Sequence, residues 1–372
     1  MPSTQLRQHV IAKAKRVVVK VGTNAITGAD GRLDHAVLAD LARQIASVMA
    51  KGVSVTLVAS GAIGAGMAEL DLANRPKELP MLQATAAVGQ GQLMRVLHDA
   101  FAVHNIKVAQ VLLTRDDFEN RTRYLNIRNT LGALCDYGAL AIINENDAVA
   151  VDEIRFGDND IISALVANML RADLLVLLSV VDGVLKDGQV VELIPAVTEQ
   201  TLSLASGARS KLGSGGMSSK LAAAGLVTRA GAPAAIANAR VQNVLVRLLE
   251  GQKLGTVFMP ARSKMSSRRR WISQAARPSG KILIDEGAAK ALAQQGKSLL
   301  PSGIVAIDGR FKKGATVTVI GPSGKEIARG LVNYSSEEID KIKRLKSSQI
   351  AKVLGSKPYD EVIHRNNMAM YS

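Results

Sequence analysis

The 372-residue chain is 47% hydrophobic and 21% charged, a balance that excludes a disordered protein and, at this length, predicts two compact units each with its own core. Its single cysteine, Cys135, excludes a disulfide framework, and the apolar helical stretch around it predicts a buried small residue rather than a nucleophile. The net charge of +15 is uneven: residues 261–372 hold 21 Lys and Arg against 9 Asp and Glu, which predicts a near-neutral body with a basic appendage suited to nucleic acid or simply to solubility.

The run from Arg16 to Val21 is β-branched and ends at Gly22-Thr23-Asn24, a strand entering a glycine turn. Leu38, Leu41, Ile45, Val48 and Met49 then recur at helical spacing until Gly52, before a second strand over Val53–Ala59. The alternation continues with a helix near Met81–Val103, a strand at Lys107–Leu113, a helix near Arg123–Tyr137 and a strand at Leu140–Ile143. Beyond these the pattern predicts a helix at Ile161–Leu170, a strand at Leu174–Ser179, a helix at Ser218–Ala230 and a short strand at Ala234–Ala237. Aliphatic strands alternating with helices predict an α/β fold with a mainly parallel open sheet covered on both faces.

The composition changes between Pro260 and Gly280, where six arginines and lysines interrupt Ser and Gln without apolar periodicity. A linker over residues 263–279 is expected there, after a first domain of residues 1–262; Trp271 within it reads as an anchor packing the linker against a domain. Short β segments at Ile282–Ile284, Ile304–Ile307 and Ala315–Ile320, separated by glycines, then predict a small barrel over residues 280–360, followed by a tail of residues 361–372. The longest aliphatic run, Leu174–Val181, is bracketed by Asp173 and Asp182 and is far short of the roughly 20 residues that span a bilayer. Residues 1–16 lack the apolar core of a signal peptide, so a cytoplasmic protein is expected. The five histidines show no zinc-ligand spacing, which weakens metal and histidine-base chemistry.

Four loops follow predicted strands, and in an open parallel sheet such loops converge on the ligand crevice. Lys20 sits one residue before the end of the first strand, where a buried lysine would need an anion and an exposed one would simply reach solvent. Ser60-Gly61-Ala62-Ile63-Gly64-Ala65-Gly66 offers backbone amides at a helix start, or close helix packing through its glycines. Asn144-Glu145-Asn146-Asp147 and Gly157-Asp158-Asn159-Asp160 crowd short polar side chains after an aliphatic strand. Each alone could be a turn, but as a pair they can grip an ammonium group and orient lysines. Gly213 to Lys220 opens a helix with glycines and hydroxyls and lacks the Gly-Lys pair of a Walker loop; it reads as an anion loop or a flexible linker.

Together with Ala87-Val88-Gly89-Gln90 and Leu112-Leu113-Thr114-Arg115, these segments resemble the glutamate 5-kinases of the amino acid kinase family over almost the whole chain. Asp285-Glu286-Gly287-Ala288 and Ser298-Leu299-Leu300-Pro301-Ser302-Gly303 resemble a PUA domain. The resemblance implies a three-layer αβα sandwich and phosphorylation of the side-chain carboxylate of L-glutamate by ATP, with Mg²⁺ carried on the ATP phosphates. It assigns catalysis to Lys20, Lys220 and Asp160, and glutamate binding to Ser60, Asp147, Asn159 and Asp158. ATP falls to Lys20, Gly22, Ser179, Ser214, Gly215, Gly216, Met217, Ser218, Ser219 and Lys220, with backbone amides of Gly22 and Gly61 offered to phosphates. It further implies proline as feedback inhibitor and a homo-oligomer. Where the family shows Thr-Asp after its nucleotide-side strand, Ser179 is followed by Val180-Val181-Asp182, so the acid has moved. Aspartate and acetylglutamate kinases are the nearest alternatives, and an RNA-binding protein acting through the basic C-terminal region is the alternative of another class; 3% aromatic residues argue against base-stacking platforms.

Overall fold

The computed structural model describes residues 7–8, 10–28, 31–150, 159–204, 216–261 and 266–371. They form two compact units, the described parts of Met1–Asp117 with Thr122–Lys264, and of Phe118–Arg121 with Met265–Ser372.

In the first unit the strands are β1 (Arg16–Val21), β2 (Ser54–Ala59), β3 (Val108–Leu113), β4 (Leu140–Glu145), β5 (Leu174–Ser179), β6 (Leu185–Lys186), β7 (Gln189–Val190), β8 (Leu193–Ile194), β9 (Ala234–Asn238) and β10 (Thr256–Phe258). Eight of them make one sheet in the order β3-β4-β2-β1-β5-β9-β10-β8, parallel except where β10 meets β9, while β6 and β7 form a separate hairpin. The chain leaves β1 toward β2 on one side and returns as β5 on the other, so the switch point of the sheet lies at the carboxyl ends of β1 and β5.

Side-chain alternation along β1 sorts its residues between two helical layers. Val17, Val19 and Val21 pack with Leu41 and Ile45 of the helix His35–Ala50 and with Leu93 and Leu97 of the helix Leu79–Ala102. Val18 and Lys20 take the other face, where the helix Asn159–Leu170 packs on β1 and against the helix Met217–Arg229. Helix Asn159–Leu170 is apolar almost all round and buried almost throughout, the pattern of a central helix rather than a surface one. Gly66 and Gly89 hold the helix Ala62–Glu69 close to the helix Leu79–Ala102: a Cβ on Gly66 would lie 1.8 Å from the Thr85 carbonyl oxygen, and one on Gly89 1.8 Å from that of Ala62. The glycine loop therefore divides its work. Gly66 serves packing, while Gly61, at φ 111°, takes the left-handed turn before the helix Ala62–Glu69.

The second unit contains β11 (Lys281–Ile284), β12 (Ile304–Asp308), β13 (Thr316–Ile320), β14 (Glu326–Leu331) and β15 (Met368–Met370) in the order β12-β11-β13-β14-β15. The segment expected as a tail supplies β15, and Val362, Ile363 and Met368 lie in the core of this unit. The part of the expected linker over Trp271–Ala275 is a π-helix, with Trp271 6% and Ile272 0% exposed. The Trp271 indole donates to the Phe118 carbonyl at 2.9 Å and lies under the Arg121 guanidinium at 5.1 Å, both within the same unit. Cys135, expected to be buried, is exposed: it sits in the last turn of the helix Arg121–Asp136, with its sulfur 3.2 Å from the Ser54 hydroxyl. Among the described residues no helix is long and apolar enough to cross a membrane.

Candidate active site

Two clusters of polar side chains form at the carboxyl ends of the central strands, and consecutive residues of one helix belong to both. The helix Asn159–Leu170 begins with Asn159 and Asp160, so Asp160 lies in its first turn, where the helix dipole favours a negative charge.

The first cluster is cationic. Lys20, 4% exposed, is paired in register with Val58 of β2 and Leu177 of β5, and its ammonium lies 2.8 Å from Asp160 Oδ1. Lys220, 3% exposed and one turn into the helix Met217–Arg229, donates to Asp160 Oδ2 at 3.2 Å. The Ser219 hydroxyl donates to the same oxygen at 2.6 Å. Burial alone would push the Asp160 carboxyl up, but the charges of Lys20 and Lys220 and the Ser219 hydrogen bond outweigh it and hold the group below the usual carboxylate range. Burial lowers the Lys220 ammonium from its ordinary value; Asp160 opposes the shift and Lys20 adds to it. One carboxylate thus shares two nearly buried ammonium groups, an arrangement suited to receiving a further anion. Gly22 bears on the same space: a Cβ there would lie 3.5 Å from the Lys20 ammonium. Its amide, expected to serve phosphate, instead donates to the Leu178 carbonyl at 3.2 Å, because β1 and β5 run side by side to their ends.

The second cluster is built of neutral amides and hydroxyls. Asn159 Nδ2 donates to Ser60 Oγ at 3.0 Å, just past β2, and to Asn144 Oδ1 at 2.9 Å, on the neighbouring β4. Asn144 Oδ1 also accepts from the Glu145 amide at 2.8 Å, and Asn144 Nδ2 donates to Gln90 Oε1 at 2.7 Å. Asn159 Oδ1 is buried and has no partner among the described residues. Asp147 follows in the turn after β4, with its carboxyl pushed up to about 6 by burial against the opposing charge of Arg75.

Of the residues expected from the sequence, Lys20, Asp160, Lys220 and Ser219 come together, and so do Ser60 and Asn159. Ser219, expected at ATP, is engaged with Asp160. Gly216 precedes the helix Met217–Arg229, whose first turn holds Met217 and Ser218. Ser179 ends β5 opposite Asn238, its carbonyl accepting from the Ala239 amide at 2.7 Å. The displaced acid Asp182 accepts from Asn238 Nδ2 at 2.8 Å, which ties it to the end of β9. Asp158, Ser214 and Gly215 lie outside the described residues. Sequence reasoning placed Asn144 in a polar cluster and Gln90 in a segment of the family resemblance, but assigned neither an individual role. A carboxamide at the end of a buried aliphatic strand was a usable signal for Asn144; for Gln90 the resemblance of its segment was a signal, but nothing local tied it to Asn144.

The amino acid kinase family model matches residues 15–238, and a PUA domain model matches residues 280–354. The chain belongs to the amino acid kinase family. Among its relatives is a glutamate 5-kinase of Caldanaerobacter subterraneus subsp. tengcongensis, 48% identical over 95% of this chain and 97% of that protein. A glutamate 5-kinase of Geobacter sp. (strain M21) is 44% identical over 98% of this chain and all of that protein. Thermoanaerobacter sp. (strain X514) has another at 46% identity, over 95% of this chain and 97% of that protein. Both clusters and the helix that joins them fall within the stretch matched by the amino acid kinase model.

Proposed function

We propose that the protein transfers the γ-phosphoryl group of ATP to the side-chain carboxylate of L-glutamate, giving ADP and L-glutamyl 5-phosphate, the first step of proline biosynthesis. One observation carries the reading: Asn159 and Asp160, adjacent in one helical turn, join an amide cluster suited to an amino acid to a lysine pair suited to a phosphoryl group.

The chemistry asks little of acid–base catalysis, since a side-chain carboxylate with a pKa near ~4.3 is already ionised at neutral pH. The obstacle is the approach of one anion to another, and the remedy is positioning and fixed positive charge. In this reading Lys20 neutralises the transferring group from the end of β1, Lys220 the nucleotide phosphates, and Asp160 holds both ammonium groups in register. Ser60, Asn159 and Asp147 receive glutamate, and Asp158 adds to them. Gly22 leaves room beside Lys20, and the segment from Ser214 to Ser218 meets the nucleotide, with Ser179 on its base side. Mg²⁺ bound to the ATP phosphates would supply further positive charge there. By the same family reading, proline inhibits the enzyme and the protein assembles as a homo-oligomer in the cytoplasm.

The test is the acyl phosphate itself. Purified protein with Mg-ATP, L-glutamate and hydroxylamine should yield γ-glutamyl hydroxamate, with far less product from aspartate or acetylglutamate. Folded protein that forms no hydroxamate with glutamate, or prefers either rival, overturns the assignment.

A further inference from the structure

We infer that Gln90, on the helix Leu79–Ala102 and outside the residues assigned to glutamate, is a positioning residue that locks the polarity of the amino-acid site through Asn144 and Asn159. The inference rests on the function proposed above and adds to it the device that decides which atoms the site presents.

One donor in the cluster has an identity beyond choice. The Glu145 backbone N–H can only donate, so the Asn144 atom it meets at 2.8 Å is Oδ1. Asn144 Nδ2 then faces Gln90, so the Gln90 atom at 2.7 Å is an oxygen. Since Asn144 presents Oδ1 to Asn159, the Asn159 atom at 2.9 Å is the nitrogen, whose second hydrogen goes to Ser60 Oγ at 3.0 Å. Each amide in the chain is oriented by the one before it.

The result is a defined pair of functional atoms. Asn159 Oδ1 is left as a buried acceptor with no partner among the described residues, the group an ammonium requires. Ser60 Oγ, accepting from Asn159 on one of its two lone pairs, keeps its O–H to donate to a carboxylate. Reversed amides would offer a donor to the ammonium and waste the hydroxyl. Glu145 sets the sense of the chain, but a single backbone contact does not stop the Asn144 side chain from swinging. Gln90 closes the far end. Without its oxygen, Asn144 Nδ2 would be a buried donor in search of a partner, and rotation toward one would carry Asn159 with it. Gln90 Nε2 is itself buried without a partner among the described residues, so exchanging the whole amide for an apolar group removes that unmet donor as well.

The test is Gln90→Met, close in shape and lacking the acceptor. Its KM for glutamate should rise about tenfold, the size of one lost hydrogen bond, while KM for ATP and kcat stay within about threefold. In an Asn144→Ala background the same change should add less than twofold, because the path to Asn159 is already cut. An unchanged KM for glutamate in Gln90→Met, or an equal rise in both backgrounds, overturns the inference. Should Gln90→Met fail to fold, Gln90→Glu keeps an oxygen facing Asn144 and must hold KM for glutamate within about threefold; a tenfold rise overturns it too. These outcomes are read against wild-type hydroxamate formation, whose absence would instead refute the glutamate kinase reading.

Discussion

Replacing Asp160 by Asn tests the centre of the site with almost no change of shape. The carboxylate is fully buried and answers two ammonium groups, at 2.8 and 3.2 Å, with a hydroxyl at 2.6 Å. An amide offers one oxygen to one lysine and turns an N–H₂ toward the other, removing the negative charge that the two nearly buried ammonium groups share. Removing one partner of a buried ion pair costs about 3–5 kcal/mol. In a unit of this size each kcal/mol moves Tm by about 2–4 °C, so calorimetry of the ligand-free protein should show a fall of roughly 6–20 °C in the transition of the first unit. Mg-ATP brings anionic charge to the same lysines, so saturating nucleotide should raise Tm more in the variant than in the wild type. Turnover should fall by on the order of 10² or more in the hydroxamate assay, since the lysines are no longer held. A ligand-free Tm within about 2 °C of wild type, with kcat within threefold, would refute the claim that Asp160 is the shared counter-ion.

The remaining predictions concern pH and packing. KM for glutamate should rise as pH falls through about 6, because protonation of Asp147 removes the negative charge offered to the substrate ammonium; a KM flat from pH 7 to pH 5 would remove Asp147 from that role. At the alkaline end kcat should decline below the ordinary lysine range, since burial makes Lys220 give up its proton early, and Lys220→Arg, which cannot deprotonate, should lose that limb from whatever activity it keeps. Gly89→Ala should destabilise the protein by about 1–3 kcal/mol or more in denaturant titrations and raise KM for glutamate, because its methyl group meets the Ala62 carbonyl two residues past Ser60. An unchanged midpoint there would show that the two helices part freely.

The sheet was legible because its strands are aliphatic runs closed by glycine or acid, a pattern that local propensity and tertiary burial both favour. Lys20 was legible for the opposite reason, a charge inside such a run. The failures have physical causes too. Met368-Ala369-Met370 has no β-branched residue, and only the free edge of β14 makes it a strand. The Trp271 segment looked like linker because its arginines hide apolar periodicity; Trp271, expected as an anchor, is buried, and Ile272, which was not singled out, is buried with it. Cys135 looked buried because its helix contains apolar residues, but a residue type does not tell which face of a helix the core covers. The Gly22 amide was assigned to phosphate by the family resemblance; parallel pairing with β5 already claims it. Gln90 stood in a segment of the family resemblance, but its partner was not legible, since a hydrogen bond across 54 residues leaves no mark on local sequence.

Why the two clusters should hang from consecutive residues follows from helix geometry. Successive side chains on an α-helix diverge by about 100°, with a rise of about 1.5 Å, so Asn159 and Asp160 project toward different strands while their separation stays fixed by the backbone. Asn159 reaches Ser60 and Asn144 at the ends of β2 and β4; Asp160 reaches Lys20 on β1. The helix is buried almost throughout and packed on the sheet, so neither residue can move without the other. In the proposed reaction, which must bring two anions together, that rigidity would hold the amide cluster and the cation pair at a preset distance before either substrate arrives. A side chain on a flexible loop could make the same contacts one at a time, but it would have to lose that freedom during the reaction. The same geometry limits substitution: Asn159 and Asp160 cannot exchange places, because each faces a cluster that demands the other's chemistry, a neutral amide with two hydrogens on one side and a shared negative charge on the other.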